Sequence, residues 1–566
     1  MAASASTESK QKASMNKAFP NERLWLSLLE HAKSIPEPVL RDNTLDVDVS
    51  LSRLVVDVAH MRQVLLDSLP PSLFDNDRTG LISESRPYIG LLVSPNYEFF
   101  VGCLAILALG GAIVVLQTEN LAMGEFQILK ECKASEVVLG KQQVGYCDEI
   151  KRLGQLHEHP IHAIPLVTMC DNTETPSADG FYIDQEMTIP SERPSFVMKT
   201  TGTTGTARNV VHCRWYWNRT VQASPDDHII LETFGLITPF VAIMLRVLNG
   251  SKGEVLSTSP GPEAIWERLK EGSVTNFTCY SWCWEQLARY YQEHLSALPS
   301  QERARYVRGA QALKWAYIVG SPSPPWLHAF WKETFGCRLQ VGYSATELGV
   351  ITLATTVDGP YIEVHSRPFA KPQPCLSGSI GKPLPGMGVK LSGGDHGEIL
   401  VKTPCLFTHY LGDPVRTKAV FDDEGYFRTG DAAHLEDGQY VFDGRIGSDI
   451  LDVSTGQICF PRLEHKLTNI PYVSEAYMLR IQTASPGEGY QLGVLVRFKD
   501  HSHPASLGQS SGEHLEEFKA QLSEALRPHE PPVSIRLLHE GEEIPRTFNM
   551  KPFRRIIVEH FFAPQI

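Results

Sequence analysis

The sequence predicts an α/β protein with layered, largely parallel sheets, helices packed on them, and a small β-rich lobe. Helix-like segments alternate with short β-branched runs over residues 21–258, and the alternation resumes over residues 274–340. Such alternation is typical of parallel strands connected by helices. After about residue 377, short strands are separated by Asp-Gly and Glu-Gly turns, which indicates the β-rich lobe. Beyond residue 444, a connector containing Gly and Ser precedes a further series of helix and strand signals.

The individual elements follow from local patterns along the chain. The clearest are helices at 23–33 and 282–291 and strands at 90–93, 136–139, 315–319 and 337–341. Residues 99–116, FFVGCLAILALGGAIVVL, are nearly long enough to cross a bilayer. Gly110 and Gly111 interrupt this run. A buried helix, a glycine turn and a strand over residues 112–116 explain it better than a membrane span.

Composition excludes several classes of protein. The chain has 566 residues, 42% of them hydrophobic, and a formal net charge of −13. These values do not fit a disordered, collagen-like or coiled-coil protein, and the length suits several domains. The acidic balance argues against general nucleic-acid binding, which usually needs concentrated positive charge. A polyanionic ligand would therefore need a local basic patch.

The cysteines and the termini indicate the cellular compartment of the protein. Eleven cysteines are scattered along the chain without the spacing of a disulfide framework or a zinc site, which favours a reducing environment. The N-terminus lacks an apolar signal segment, and we expect residues 1–20 to form a disordered leader. The C-terminus, FFAPQI, is not an SKL-type peroxisomal address. We expect a cytoplasmic protein, with the peroxisome left open.

The most informative segment is residues 197–212, VMKTTGTTGTARNVVH, in which a strand-like run enters seven consecutive Thr and Gly residues. Glycines at 202 and 205 allow close approach of the backbone, and five threonines supply hydroxyl donors for an anion such as phosphate. The segment lacks the Gly-Lys-Ser/Thr ending of a Walker A loop. A hydroxyl-rich turn without a ligand is the alternative interpretation.

A second candidate site is residues 341–349, VGYSATELG, at the end of a predicted strand. Tyr343 can stack on a base, Thr346 can donate a hydrogen bond to phosphate, and Glu347 can bind a Mg²⁺ that bridges phosphates. Taken alone, a Tyr and a Glu at a strand end are more often structural, and it is their combination that indicates a site.

A third candidate site follows from turn chemistry in residues 431–445, DAAHLEDGQYVFDGR. Asp437 and Gly438 predict a two-residue hairpin turn. Regular pairing from that turn places Asp431 opposite Gly444 and next to Arg445. The pair could clamp a ribose diol and a nearby phosphate, or it could form a surface ion pair of little energetic value.

The fourth candidate site is a basic cluster in residues 544–555, IPRTFNMKPFRR, where Lys551 lies among Arg546, Arg554 and Arg555. In so acidic a chain, this cluster could supply the local positive charge that a polyanion requires. A solvated basic tail is the alternative.

In this order and at these separations, the four sites resemble the adenylate-forming superfamily of acyl-CoA synthetases, peptide-synthetase adenylation domains and firefly luciferase. Two further stretches look like motifs of that family: GSIGKPLPGMG at 378–388 and GEILVKTPCLFTHYLGDPVRT at 397–417. GYFRTGD at 425–431 matches the family closely, and GRIGSDIL at 444–451 is similar to malonyl-CoA synthetase-like enzymes. The resemblance covers residues 21–560.

The resemblance implies a domain organisation. A large N-terminal domain over residues 21–443 would contain the layered sheets and the β-rich lobe. Residues 444–449 would form a hinge near Asp449. A smaller, mobile α+β domain over residues 450–566 would act as a lid.

The resemblance also implies the binding residues for ATP. The loop around the β and γ phosphates would contribute Thr200, Thr201, Gly202, Thr203, Thr204, Gly205, Thr206 and Arg208. Gly320, Ser321 and Pro322 would line the adenine pocket, and Tyr343 would face the base.

Three catalytic residues are implied in the same way. Thr346 would contact the α-phosphate, Glu347 would bind Mg²⁺, and Lys551 would bridge the substrate carboxylate and the α-phosphate. Asp431 would hold the ribose hydroxyls, reinforced by Arg445.

The sequence departs from the family pattern at several positions. The usual end of the phosphate loop, TGxPKG, is replaced by TGTARN, with Ala207, Arg208 and Asn209 at its last three positions. Arginine keeps the charge of lysine but not its point geometry. Ser344 adds a side chain where the family has glycine, and residues 232–236, ETFGL, lack the family's histidine. These changes suggest an unusual substrate.

The first functional hypothesis is therefore an ATP-dependent carboxylic acid:CoA ligase that uses a small-molecule acid, ATP, Mg²⁺ and coenzyme A. The second is an acyl-AMP ligase of the same fold that loads a carrier protein or an amine. The third is a non-catalytic nucleotide-binding protein. The segments expected near the acyl group, 234–239, 280–284 and 344–348, are mostly apolar or aromatic, which suits a hydrophobic or aryl acid.

Overall fold

A computed structural model describes most of the chain. The described residues are 17–562 apart from 76–79, 119, 169–176, 201–206, 220, 222, 231–236, 258–260, 356–377, 454–455, 483–489, 500–510, 528–532, 540 and 548–551.

The first layer is a seven-stranded sheet within this described part. In spatial order its strands are His409–Tyr410, Asn209–Cys213, Pro194–Lys199, Ala112–Val115, Tyr88–Leu92, Glu136–Leu139 and His162–Pro165. The last five strands are mutually parallel. At the other edge, Asn209–Cys213 pairs antiparallel with Pro194–Lys199, and His409–Tyr410 pairs antiparallel with Asn209–Cys213. The central strands are buried runs such as AIVV and EVVL, the composition expected of a sheet covered on both faces.

The second layer is a thirteen-stranded mixed sheet among the described residues. In spatial order its strands are Gly388–Leu391, His396–Lys402, Phe427–Glu436, Gln439–Arg445, Ser379–Pro383, Leu353–Ala354, Gln340–Tyr343, Trp315–Val319, Asn276–Tyr280, His228–Ile230, Lys252–Val255, Leu40–Asp42 and Val47–Val49. From Gln340–Tyr343 to Leu40–Asp42 the strands are parallel. The β-rich lobe expected after residue 377 is the antiparallel end of this same sheet.

The helices pack on these sheets. Those ahead of residue 444 are Arg23–Ser34, Leu51–Ser68, Tyr97–Ala108, Ala122–Cys132, Val144–Leu156, Trp215–Asn218, Ile237–Leu248, Pro262–Leu269, Ser281–Tyr290, Ser300–Gln311, Pro325–Phe335 and Pro414–Ala419. Short 3₁₀ turns cover Pro71–Leu73, Lys141–Gln143 and Thr346–Leu348, and a π-helical turn covers Tyr291–Leu295.

The apolar stretch over residues 99–116 folds as the sequence predicts. Every residue of helix Tyr97–Ala108 is buried, Gly110 turns the chain with a φ of 73°, and strand Ala112–Val115 follows. In the part of the chain that the structure describes, no helix combines the length and the apolar character needed to cross a membrane.

The residues after 449 form their own sheets and their own core. Their strands are the hairpin Ile450–Val453 and Gly456–Cys459, then the sheet Val473–Gln482, Tyr490–Phe498 and Val533–Leu537. Their helices are Phe460–Thr468, Ser511–Leu526 and Arg554–Phe561. Phe460, Met478, Val494 and Phe518 belong to one hydrophobic cluster that this region does not share with the preceding layers.

The described part of the chain already forms a strand ahead of the expected boundary at residue 21. Residues 1–16 lie outside the described part, but Ala18–Pro20 form a strand that pairs in parallel with Tyr182–Asp184. Phe19 is fully buried and stacks on Trp25, with ring centroids 4.7 Å apart. Burial of this ring explains why the expected leader is wrong for residues 18–20.

A buried ion pair anchors the start of the first helix. Glu22 accepts hydrogen bonds from Arg214 Nε at 2.7 Å and from Asn218 Nδ2 at 3.0 Å. Arg214 is fully buried and also donates to the Leu107 carbonyl at 3.0 Å. Removal of one member would leave a buried charge without its partner, which is strongly destabilising.

Glu22→Ala should therefore lower the free energy of unfolding by about 3 kcal/mol, measured by urea unfolding. The matched control is Glu30→Ala, because Glu30 lies on the same helix and is exposed. An equal loss in both variants would contradict a specific role for the buried pair.

Candidate active site

The candidate site lies at the carboxyl ends of three neighbouring parallel strands. Tyr280 pairs with Val319, and Val319 pairs with Gly342, so the residues that follow these strands meet at one edge of the large sheet. Ligands of open α/β sheets bind at such edges. A cleft of about 2190 Å³ opens there, and its far wall includes His465 and Arg546 from the C-terminal region.

Ten of the predicted site residues line this one cleft: Thr200, Arg208, Gly320, Ser321, Pro322, Tyr343, Thr346, Glu347, Asp431 and Arg445. They come from segments as far apart as residues 200 and 445, so the fold brings distant parts of the sequence together. Residues 201–206 and Lys551 lie outside the described part of the chain.

The segment Gly320, Ser321 and Pro322 follows strand Trp315–Val319. Gly320 has a φ of 78°, and a Cβ added there would lie 2.7 Å from Cε1 of Tyr280. Glycine is therefore required on two grounds, since the backbone is left-handed and the Tyr280 ring packs directly against it. The result is a narrow slot beside an aromatic ring.

The hairpin over residues 431–445 forms around Asp437 and Gly438, which have φ values of 48° and 69°. Pairing near the turn follows the predicted register, but the ladder shifts between Ala432 and Ala433, where Asp443 is an extra residue on the second strand. Asp431 therefore pairs with Arg445 rather than with Gly444. This β-bulge corrects the predicted register by one residue.

The Asp431 carboxylate is held from two sides. Its Oδ1 accepts a hydrogen bond from Arg445 Nε at 2.8 Å, and its Oδ2 accepts one from the Tyr343 hydroxyl at 2.8 Å. Asp431 and Tyr343 are both buried. Burial and the Asp431 charge hold the pKa of Tyr343 well above its usual range, so the hydroxyl remains a donor. Asp431 raises the pKa of Arg445.

Glu347 and Thr346 lie next to this group and contact the other sheet. Glu347 is buried, and its Oε1 accepts a hydrogen bond from the Tyr410 hydroxyl at 2.8 Å. His212 Nε2 lies 2.8 Å from the Thr346 carbonyl, and burial lowers the pKa of His212 to about 4. A neutral His212 therefore donates to that carbonyl and fixes the backbone that carries both residues.

The ends of the Thr- and Gly-rich loop are tied together. The Thr200 amide donates to the Arg208 carbonyl at 2.8 Å, and the Arg208 amide donates to Thr200 Oγ1 at 2.9 Å. These bonds extend the antiparallel pairing of Lys199 with Asn209. The Arg208 guanidinium lies 5.3 Å from the ring centroid of Tyr410, the residue whose hydroxyl donates to Glu347.

The predicted basic cluster near the C-terminus is partly neutralised. Arg554 binds Glu464 at 2.7 Å and Asp449 at 3.1 Å, and Arg546 donates to the Tyr477 hydroxyl at 2.8 Å. Of the arginines in this cluster that the structure describes, Arg555 has the most exposed side chain, at 72%. Within the basic cluster that the sequence indicated, the Arg554 guanidinium is therefore already paired with carboxylates of the protein.

Sequence reasoning missed two residues that hold the site in place, His212 and Tyr410. Both lie inside stretches that it singled out, His212 at the end of 197–212 and Tyr410 within 397–417. The signal was their position next to an apparent binding motif, but neither contact is visible without the fold.

Comparison with known proteins agrees with this geometry. Residues 78–411, more than half of the chain, match the family model described as AMP-binding enzyme. The chain is 30% identical to the acyl-CoA ligase oryP of Aspergillus oryzae over 96% of its own length and 93% of that protein. It is 26% identical to a malonate–CoA ligase of Arabidopsis thaliana, with 81% of this chain and 75% of that protein covered.

A solved structure shows the same fold. The O-succinylbenzoate coenzyme A synthetase of Bacillus subtilis, in complex with ATP and magnesium ion, superposes with a TM-score of 0.69 at 18% identity. The match covers 94% of this chain and 98% of that one. Together with the relatives and the family model, this establishes that the chain belongs to the AMP-binding enzyme family.

Proposed function

We propose that this protein is an ATP-dependent carboxylic acid:CoA ligase. It joins the carboxylate of an acid to AMP with release of pyrophosphate, and then transfers the acyl group to the thiol of coenzyme A. The observation that carries the proposal is the shared cleft, in which Tyr343, Asp431 and Arg445 lie beside Thr346 and Glu347.

The nucleoside end of ATP fits the fixed carboxylate. Asp431 would accept hydrogen bonds from the two ribose hydroxyls, while Arg445 keeps it oriented. Tyr343 would face the base, and the slot beside Gly320 would receive the adenine. Because these groups are already hydrogen-bonded to one another, little reorganisation is needed on binding.

The phosphate end would lie between Thr346, Glu347, Thr200 and Arg208. Glu347 fits a Mg²⁺ site, because Tyr410 occupies one carboxylate oxygen while the side chain lines the cleft. Mg²⁺ is commonly bound by one or two carboxylates together with substrate phosphates, so a larger cluster of acidic ligands is not required. When bound, the ion would neutralise charge on the phosphates.

In the first step, an oxygen of the substrate carboxylate forms a bond to the α-phosphorus, and the bond from that phosphorus to the departing pyrophosphate oxygen breaks. The nucleophile is already ionised, so no side-chain nucleophile or general base is needed. Catalysis then depends on positioning and on charge stabilisation. We assign the bridging positive charge to Lys551, which lies outside the described residues.

The second step would use residues 444–449 as a hinge. Asp449 caps this segment by accepting from the Arg445 amide at 3.1 Å, and Arg554 binds Asp449 from the C-terminal region. Rotation about this segment would withdraw Lys551 and admit the thiol, which then displaces AMP from the acyl carbon.

Acid-dependent exchange of labelled pyrophosphate into ATP tests the first step. We expect exchange with Mg²⁺ and a suitable acid, and release of AMP that depends on CoA. Release that instead requires an amine or a carrier protein would favour the alternative acceptors. A folded protein that neither binds ATP nor exchanges pyrophosphate with any acid of a broad panel would overturn the proposal.

Asp431→Ala should raise the KM for ATP about tenfold to a hundredfold, a loss of roughly 1.4–3 kcal/mol, since the carboxylate hydrogen-bonds two hydroxyls. Tyr343→Phe, which removes only an orienting hydroxyl, should give a smaller rise. Steady-state kinetics with varied ATP measure both effects. Asp437→Asn at the tip of the same hairpin is the control and should leave the KM unchanged. An unchanged KM in a folded Asp431→Ala variant would exclude the ribose role.

Lys551→Ala should slow adenylate formation by about tenfold to a hundredfold, because roughly 1.4–3 kcal/mol of transition-state stabilisation is lost. Thioester formation from a preformed acyl adenylate should be spared. Arg555→Ala, an exposed neighbour, serves as the control. Single-turnover assays of the two half-reactions distinguish these outcomes, and equal loss in both steps would contradict the assignment.

A further inference from the structure

One wall of the cleft carries a carboxylate that the proposed reaction does not use. Helix Ser281–Tyr290 begins directly after strand Asn276–Tyr280, at the sheet edge that also carries Gly320. Glu285 lies one turn into this helix, lines the cleft and is half-buried. It therefore faces the same space as the proposed nucleotide and acyl groups.

The carboxylate of Glu285 is only partly satisfied by the protein. Ser281 Oγ donates to its Oε1 at 2.8 Å. Burial raises the pKa of Glu285, and the opposing effects of Ser281 and Arg289 are smaller. A carboxylate can accept several hydrogen bonds through its two oxygens, so a further donor would stabilise it in this place.

A second polar group on the same wall also lacks a partner. The Tyr280 hydroxyl is buried and has no hydrogen-bond partner among the described residues. Buried polar groups in proteins are normally paired, and an unpaired one at a cleft is often satisfied by a ligand. The wall from Tyr280 to Glu285 therefore contributes two polar groups to the cleft, although its sequence, YSWCWE, is largely aromatic.

The charges that face Glu285 across the cleft are largely engaged elsewhere. Arg546 donates to the Tyr477 hydroxyl and lies 3.6 Å from Glu475. Arg289, four residues along the helix, is exposed and also lines the cleft. The wall thus presents the Glu285 acceptor to the cleft, with an exposed arginine one helical turn further along.

We infer that Glu285 selects carboxylic acids whose acyl chain carries a hydrogen-bond donor, either a hydroxyl or an ammonium group. The inference rests on the proposed ligase function and narrows its substrate class. A site that pairs with a donor rejects analogues lacking that donor much more strongly than an apolar pocket can discriminate by size. A second carboxylate on the substrate offers only acceptors at neutral pH and no donor to pair with Glu285, so dicarboxylic acids are disfavoured.

The test compares matched acids by the kcat/KM of pyrophosphate release. The pairs are 4-hydroxybenzoate with benzoate and 6-aminohexanoate with hexanoate, and adipate represents the dicarboxylic acids. For the unaltered protein, we expect at least a tenfold preference for the donor-bearing acid in one pair, since a buried acceptor would otherwise stay unpaired. Adipate should be a poor substrate.

Two variants identify Glu285 as the origin of that preference. Glu285→Leu should abolish the preference or reverse it, and the isosteric Glu285→Gln should weaken it. The matched control, Glu302→Gln, removes an exposed carboxylate from helix Ser300–Gln311, away from the residues that line the cleft, and should keep the original preference. The KM for ATP and the thermal midpoint should stay unchanged in Glu285→Gln, which separates specificity from folding.

Three results would overturn the inference. The first is equal or better use of the plain acids by both the unaltered protein and Glu285→Leu. The second is a preference for adipate that disappears in Arg289→Ala, which would show that Arg289 binds the second carboxylate of a dicarboxylic acid at this wall. The third is an absence of pyrophosphate release with every acid, which would overturn the ligase function itself and this inference with it.

Discussion

The Asp431 carboxylate, fixed between the Tyr343 hydroxyl and the Arg445 guanidinium, is the interaction on which the cleft depends. It joins the parallel part of the large sheet to its antiparallel end, because Tyr343 ends strand Gln340–Tyr343 and Asp431 lies within strand Phe427–Glu436. Charges in such a buried place are tolerated only when they are paired and hydrogen-bonded. The two hydrogen bonds that stabilise the buried Asp431 carboxylate also hold it in one orientation.

A second set of contacts joins the two sheets. Glu347 and Thr346 belong to the large sheet's edge, whereas their partners Tyr410 and His212 belong to strands of the seven-stranded sheet. Arg208 enters from that sheet as well. Polar contacts therefore bridge the two layers beside the cleft, where the proposed phosphate site would receive ligands from both sheets.

Much of this arrangement could be predicted from the sequence. Strongly periodic segments gave the right element types, and the Asp-Gly pair gave the hairpin turn, because these depend on neighbouring residues alone. The shift in hairpin register could not be foreseen, since Asp443 has no side-chain feature that marks an extra strand residue. The pairing of Arg554 was hidden for another reason: its partners Glu464 and Asp449 lie 90 and 105 positions away. The binding and catalytic roles of all the site residues remain predictions, and for Lys551 and residues 201–206 so does their position.

The bulge at Asp443 shifts the hairpin register and also bears on two contacts of the second strand. Asp443 binds Arg462 of helix Phe460–Thr468 at 2.5 Å and also contacts His434, while Arg445, two positions later, reaches Asp431. One short strand thus carries, two residues apart, the partner of Asp431 and the anchor of the C-terminal helix. Side chains of a strand alternate between its faces. Loss of a single residue at this point would shift the register that pairs Asp431 with Arg445, so this contact depends on strand length as well as on residue identity.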